Sequence, residues 1–282
     1  MNMEYQFQIQ CDQGAFRSNN EDAILYGVKN LNESDSDLKK FAWMVIADGM
    51  GGHNAGEVAS EILTEHVQSV ISALGSVNDI DWNEWLIEQI KTANTKIFEQ
   101  SLADPAQQGM GTTGVIAILI DDHVYIGWVG DSRCYWLGEA YLQKGLEEKL
   151  KEDLEPSSEQ LLEKNLEQTL KQLTKDHTMV QLFVDKGVMT QEEANNANNK
   201  NMLSRAIGIK ASIEVDTVQH SLHKGDVIFL STDGLHDSLT NTQLIDYLTK
   251  ASKGDPIETQ MLKDALTAGS RDNISFGAIA LI

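Results

Sequence analysis

The chain has 282 residues, 41% of them hydrophobic, and a formal net charge of −21 from 43 acidic against 22 basic side chains. That length and apolar share support a sizeable core in one large domain or two small ones. The charge excludes a nucleic-acid or anionic-membrane partner, since either would need a basic patch and no lysine/arginine cluster of that kind is present.

At the N-terminus, MNMEYQFQIQ lacks the basic and apolar regions of a signal peptide, and no apolar run in the chain reaches membrane-spanning length. Two cysteines, Cys11 and Cys134, make no disulfide framework, so a cytoplasmic protein is expected. Tyr5, Phe7 and Ile9 alternate with polar residues as in a half-buried strand. In CDQGAFRSNNED, Arg17 precedes Glu21 and Asp22 and is either paired with them locally or functional. Cys11, five intervening residues, Arg17 and Ser18 also match the spacing of cysteine-dependent phosphatases, where a thiolate attacks phosphorus. Asp12 would oppose both thiolate and phosphate, and NNED does not read as the expected helix, so that mechanism is set aside.

The stretch VIADGMGGHNAGE (45–57) runs from an apolar strand into Asp48, then a glycine-rich turn (Gly49, Gly51, Gly52, Gly56), then a helix from Glu57. Asp-Gly after a strand is an ordinary turn signal; it is also a place where a carboxylate and bare backbone can hold a hard cation. Val58, Ile62, Leu63, Val67, Val70, Ile71 and Leu74 form one apolar helical stripe. A second helix opens at Asp81 with Glu84 three residues on, and its stripe of Trp82, Trp85, Leu86, Ile90, Ala93 and Ile97 reads as core.

GMGTTGVIAILI (109–120), a DDH turn and VYIGWVG (124–130) form two strands that a tight turn makes antiparallel, which rules out a doubly wound parallel sheet. The second ends at Asp131-Ser132-Arg133. Residues 138–173 carry leucines every four residues on either side of Pro156, including Leu162, Leu166, Leu170 and Leu173, as in two amphipathic helices. They form either a solvated hairpin on the surface or a docking surface. LTKDHTMVQLFVDKG gives a short helix ending at Gly187, with His177 read as structural. Thr190 and Glu193 form a capping box before an asparagine-rich run (195–201), an exposed flap near Lys200, Arg205 and Lys210.

The last third repeats the opening pattern. Val227–Leu230 is an apolar strand, STDGLHD puts Asp233 at its end with Asp237 one helical turn later, and a helix begins near Asn241. Another follows with Asp255 as cap, Pro256 at its first position and Glu258 completing the box, ending at Gly269. Asp272 stands just ahead of the final strand, ISFGAIALI. Asp48, Asp131, Asp233 and Asp272 thus each sit where an apolar strand meets a turn. Four such carboxylates at strand ends of one core repel unless a cation lies among them, which points to oxygen-liganded Mg²⁺ or Mn²⁺. Zinc has little support, because the seven histidines show no ligand spacing.

RSNNED (17–22), ADGMGGHNAGEVAS (47–60), GTT (111–113), VGDSR (129–133), STDGLHD (231–237) and SRDN (270–273) together resemble the ordered motif set of type 2C, metal-dependent serine/threonine protein phosphatases, most nearly the bacterial branch. The resemblance spans nearly the whole chain and implies an α+β fold: a four-layer α/β/β/α sandwich of two antiparallel sheets flanked by helices. It implies a single catalytic domain over 1–282, with a helical insertion at about 143–169, longer than usual in the family, and a flap subdomain at about 174–210. It also implies hydrolysis of phosphoserine and phosphothreonine in proteins by a water bridging two Mn²⁺ or Mg²⁺ ions, with a third, weaker ion nearby.

By motif, Asp48 would bridge the two ions and the Gly49 carbonyl would complete one of them, with Asp233 and Asp272 ligating the other. Glu21 and Asp22 would hold metal-bound waters, Asp131 with Asp237 would match the third ion, and Arg17 would anchor the phosphate through a planar fork. Met50 stands where eukaryotic members carry the histidine proposed as general acid, and nearby His53 is not assigned that role. The partner implied is a phosphorylated protein substrate, one modified by a serine/threonine kinase; the resemblance says nothing of the 143–169 insertion, which stays a candidate site for a further partner. A small-molecule phosphoesterase and an inactive phosphatase-like binding module are the competing functions.

Overall fold

Strand β3 (Asp37–Met50) shows why the molecule is layered. Phe41, Trp43, Val45 and Ala47 point to one apolar cluster and Ala42, Met44 and Ile46 to another, and all seven are buried. Side chains alternate along a strand, so a continuous apolar run needs a partner layer on each face. The computed structural model describes residues 4–34, 37–51, 55–77, 79–138 and 169–282. The expected insertion at about 143–169 therefore lies outside the described residues up to its last position, as do Gly52 and His53.

β3 pairs with β2 (Asp22–Ser34) and β5 (Gly114–Ile120); β6 (His123–Val129) and β9 (Asp216–Ser221) complete the path, and short β4 (Gly111–Thr112) joins the end of β3. The second sheet runs β1 (Tyr5–Asp12), β11 (Ile274–Leu281), β10 (Val227–Ser231), β7 (Arg133–Leu137), β8 (Leu170–Gln172). Each pairing is antiparallel. Met44 and Ile46 from one sheet meet Trp136, Ile228, Leu230 and Ile279 from the other in an apolar core between them. Helices α1 (Ala55–Ala73) and α2 (Trp82–Ala103) cover the outer face of the first sheet through Leu63, Val67, Leu86 and Ile90. Residues 174–210 contain α3 (Met179–Asp185) and α4 (Gln191–Asn195). Beyond β10 come the single-turn α5 (Asp233–His236), then α6 (Asn241–Ala251) and α7 (Glu258–Thr267), which cover the second sheet through Leu244, Leu248, Met261 and Ala265. The expected four-layer sandwich is the observed one.

Three local expectations fail, two of them through tertiary competition. α1 starts at Ala55 rather than Glu57. Leu170 and Leu173 do not end a helical stripe: Leu170–Gln172 pairs with Tyr135–Leu137, which offers an open strand edge. The last helix begins at Glu258 without an Asp255 cap. There Gln8 of β1 intervenes: its Nε2 donates to the Asp255 carbonyl and its Oε1 accepts from the Ile257 N–H, both at 2.9 Å.

Candidate metal and phosphoester site

Sheet register does the first assembly step. Asp22 opens β2 directly opposite Asp48 near the end of β3, so two carboxylates from adjacent strands share one sheet end. Asp131 follows β6, Asp233 opens α5 after β10, and Asp272 lies in the turn before β11. Strand ends from both sheets thereby deliver five aspartates to one cleft.

Desolvation and mutual repulsion show that they face one another. Burial pushes the Asp48 carboxyl well above its usual range, and the charges of Asp22, Asp233, Asp131 and Asp272 push it further. Asp22 is raised to about 7 by burial and by Asp233 and Asp272, although hydroxyl donors oppose this, among them Thr232 Oγ1 at 2.9 Å. Asp131 is raised to about 8 by burial and by Asp233 and Asp176, and Asp233 to about 6 by burial, Asp272 and Asp237. Glu21 at the rim is raised mainly by burial, partly offset by Arg17. Anionic oxygens crowded this way are stabilised either by protons or by a divalent cation.

The backbone around them is closely fitted. Gly49 N–H donates to the Glu21 carbonyl at 3.0 Å, and a Cβ on Gly49 would lie 2.1 Å from the Gly56 carbonyl oxygen. Only glycine brings β3 that close to the start of α1. Asn273 ties the remaining loops: its Oδ1 accepts from Glu21 N–H at 2.9 Å, and its Nδ2 donates to the carbonyls of Gln13 and Asn19, both at 2.8 Å.

Arg17 does not pair locally with Glu21 or Asp22. Its Nη2 contacts Asp272 Oδ2 at 2.5 Å, across 255 residues of sequence. Asp237 turns toward the 174–210 segment, where Lys200 Nζ lies at 2.8 Å, and Asn201 Nδ2 donates to both Asp237 at 3.2 Å and Asp233 at 3.1 Å. Every predicted site residue therefore reaches the cleft or its rim. Lys200, Asn201, Thr232 and Asn273 escaped the sequence reading as site groups; the last two stand inside quoted motifs beside predicted ligands, whereas nothing local marks Lys200 and Asn201.

His177 is structural: its Nδ1 accepts from Gly130 N–H at 3.1 Å, its ring stacks on Trp128, and burial lowers its pKa to about 4. Burial raises the Cys11 pKa, and its sulfur is engaged by Asn20 at 3.1 Å and Ser275 at 3.2 Å. That is the opposite of an activated thiolate.

The donors suit a hard divalent ion, being oxygens from carboxylates with one backbone carbonyl beside them. Among the described residues no three acidic, histidine or cysteine side chains stand in ready-made coordination geometry. Asp272 instead contacts Arg17, Asp233 contacts Asn201 and Asp22 contacts Thr232.

A layered sandwich with carboxylates converging at one end of its two sheets, and an arginine beside them, defines a metal-dependent phosphoester hydrolase. The chain belongs to the protein phosphatase 2C family, whose model matches residues 18–267. It is 32% identical over 272 residues to the serine/threonine phosphatase stp of Listeria welshimeri, covering 95% of this chain and 92% of that protein. The crystal structure of serine/threonine phosphatase Stp1 from Staphylococcus aureus is similar at a TM-score of 0.75 and 26% identity, over 100% of this chain and 96% of that one. The catalytic domain of a phosphatase PstP in complex with two manganese ions shares the fold at a TM-score of 0.72 and 23% identity, over 100% of both chains.

Proposed function

We propose that this protein phosphatase removes phosphate from phosphoserine and phosphothreonine in proteins, with the acidic cleft as its reaction centre. The observation that carries the reading is the convergence of Asp22, Asp48, Asp131, Asp233 and Asp272, each raising the proton affinity of others, beside Arg17. The activity is metal-dependent, as in the family to which the chain belongs. Divalent ions supply Lewis acidity, neutralise charge on the phosphate and make water nucleophilic near neutral pH.

Asp48, the Gly49 carbonyl, Asp233 and Asp272 would hold the two ions, Mn²⁺ or Mg²⁺. Glu21 and Asp22 would accept from the surrounding waters, and Asp131 with Asp237 would hold a third ion. Asp272 engaged with cations leaves the Arg17 guanidinium available, and its two N–H edges match two phosphate oxygens. Charge spread over those oxygens in the transition state is offset by that fork. No side-chain nucleophile takes part, in keeping with the protonated, hydrogen-bonded Cys11.

Substrates are proteins phosphorylated by serine/threonine kinases, and the leucine-rich 143–169 insertion is the candidate segment for binding a further partner. No helix among the described residues is long and apolar enough to cross a membrane. Two free cysteines fit the reducing cytoplasm.

The test is hydrolysis of an aryl phosphate and a phosphothreonine peptide with Mn²⁺ and with excess chelator, using wild type, Asp48→Asn and Cys11→Ser. Turnover is expected only with Mn²⁺, to fall by about 10³-fold or more in Asp48→Asn and to persist in Cys11→Ser. Full activity in chelator, or a dead Cys11→Ser enzyme that is correctly folded, would overturn the reading. Aryl phosphate and metabolite phosphates turned over with the peptide untouched would point to a small-molecule phosphoesterase; a metal-loaded protein inactive on all of them would be a binding module.

A further inference from the structure

Two pairs of side chains bridge the same two loops at the cleft mouth. Arg17, on the loop after β1, reaches Asp272, and the residue before each forms the second pair: the Arg271 guanidinium carbon lies 5.9 Å from the centre of the Phe16 ring. The backbones between them are in contact, since a Cβ on Gly14 would sit 2.3 Å from the Asp272 carbonyl oxygen. Phe16 and Arg271 therefore flank the groups that meet the phosphate.

Their exposure is what the fold does not explain. Phe16 is 65% exposed, and Arg271 is exposed as well. Arg17, Arg133 and Arg205 each have a carboxylate partner; Arg271, among the described residues, has none. A chain of charge −21 repels anionic ligands at long range. An arginine held over an aromatic face and left without a counter-charge beside the reaction centre supplies the opposite sign where a substrate chain must pass.

We propose that Arg271, positioned by Phe16, is a specificity determinant that contacts an aspartate or glutamate flanking the phosphorylated residue, so that the preferred substrates are acidic phosphosegments. This rests on the protein-phosphatase reading and deepens it. The guanidinium pairs with the carboxylate while the ring keeps the arginine from folding back onto Asp272.

The experiment compares kcat/KM of the Mn²⁺-loaded enzyme for phosphothreonine peptides identical except for glutamate, alanine or lysine at the positions flanking the phosphoresidue. Wild type, Arg271→Ala, Arg271→Glu and Phe16→Ala are each read as the glutamate-to-lysine ratio, which cancels any general loss of active protein. Wild type is expected to favour glutamate by about fivefold, the size of an exposed ion pair, and to lose that preference in high salt. Arg271→Ala should level the ratio, Arg271→Glu should invert it, and Phe16→Ala should shrink it. Equal ratios in all four enzymes, with every peptide turned over, overturn the inference and leave the phosphatase reading standing. Peptides left untouched by an enzyme that hydrolyses an aryl phosphate overturn both.

Discussion

Asp48 concentrates the cost of building this site, because four other carboxylates raise its proton affinity on top of its burial. Asp22, Asp131 and Asp233 have folded-state values of about 7, 8 and 6 against an ordinary 3.8. Between about pH 4 and 8 the folded chain thus binds more protons than the unfolded one, so stability falls as pH rises through that window. Chelated protein should melt at a lower temperature near pH 8 than near pH 5, and Mn²⁺ should raise the melting temperature most at the higher pH. Asp48→Asn should melt higher than wild type in chelator at about pH 8 while losing turnover, since it removes repulsion and a ligand together. A melting temperature in chelator that is flat across this range would show that the carboxylates do not crowd one another. Arg17→Lys keeps the charge and loses the fork; kcat/KM on a phosphopeptide should drop about 10²-fold, and a near-wild-type rate would remove Arg17 from phosphate binding.

At the scale of elements, two contacts govern how the site is held. β11 crosses the inter-sheet core at Gly277, where a Cβ would meet Met44 Sδ at 2.4 Å and Ile9 Cδ1 at 2.8 Å. Gly277→Val should cost about 1–3 kcal/mol by urea denaturation, because the two sheets cannot separate for one side chain without losing packing elsewhere. The other contact ties the 174–210 segment to the end of β6. His177 N–H donates to the Gly130 carbonyl at 2.9 Å while its Nδ1 takes the Gly130 N–H, fixing the residue next to Asp131. His177→Ala should raise the Mn²⁺ concentration needed for half-maximal turnover, and an unchanged metal requirement would show that this backbone pairing does not bear on the position of Asp131. Thr190 and Thr240 cap α4 and α6 through reciprocal bonds three residues apart, a local device. The start of α7 was illegible locally because its N–H partner, Gln8, comes from the far end of the chain.

The described residues pack into three apolar clusters, one between the sheets and one under each helical layer, and none depends on the acidic cleft. Excess chelator should therefore stop turnover while the far-ultraviolet circular dichroism spectrum keeps its folded form. Loss of that spectrum on chelation would mean the ions are structural supports as well. A net charge of −21 opposes the approach of anionic substrates at long range, which is why our proposals assign their recognition to two cations at the cleft, Arg17 and Arg271.

Local periodicity determined eight of the elements: alternation or continuous apolarity for β1, β3, β5, β6, β10 and β11, and one-sided stripes for α1 and α2. The ordered motifs determined the family, and the sequence already put each candidate aspartate where an apolar strand meets a turn, with strand register set by the buried faces on either side. Only the tertiary structure decided what those side chains touch. Arg17 finds Asp272 rather than its neighbours, Lys200 and Asn201 reach Asp237 and Asp233, Leu170–Gln172 becomes an edge strand, and Arg271 comes to rest on Phe16. Strand and helix propensities act over a few residues, whereas these contacts join segments tens to hundreds of residues apart and exist only once the two sheets have packed.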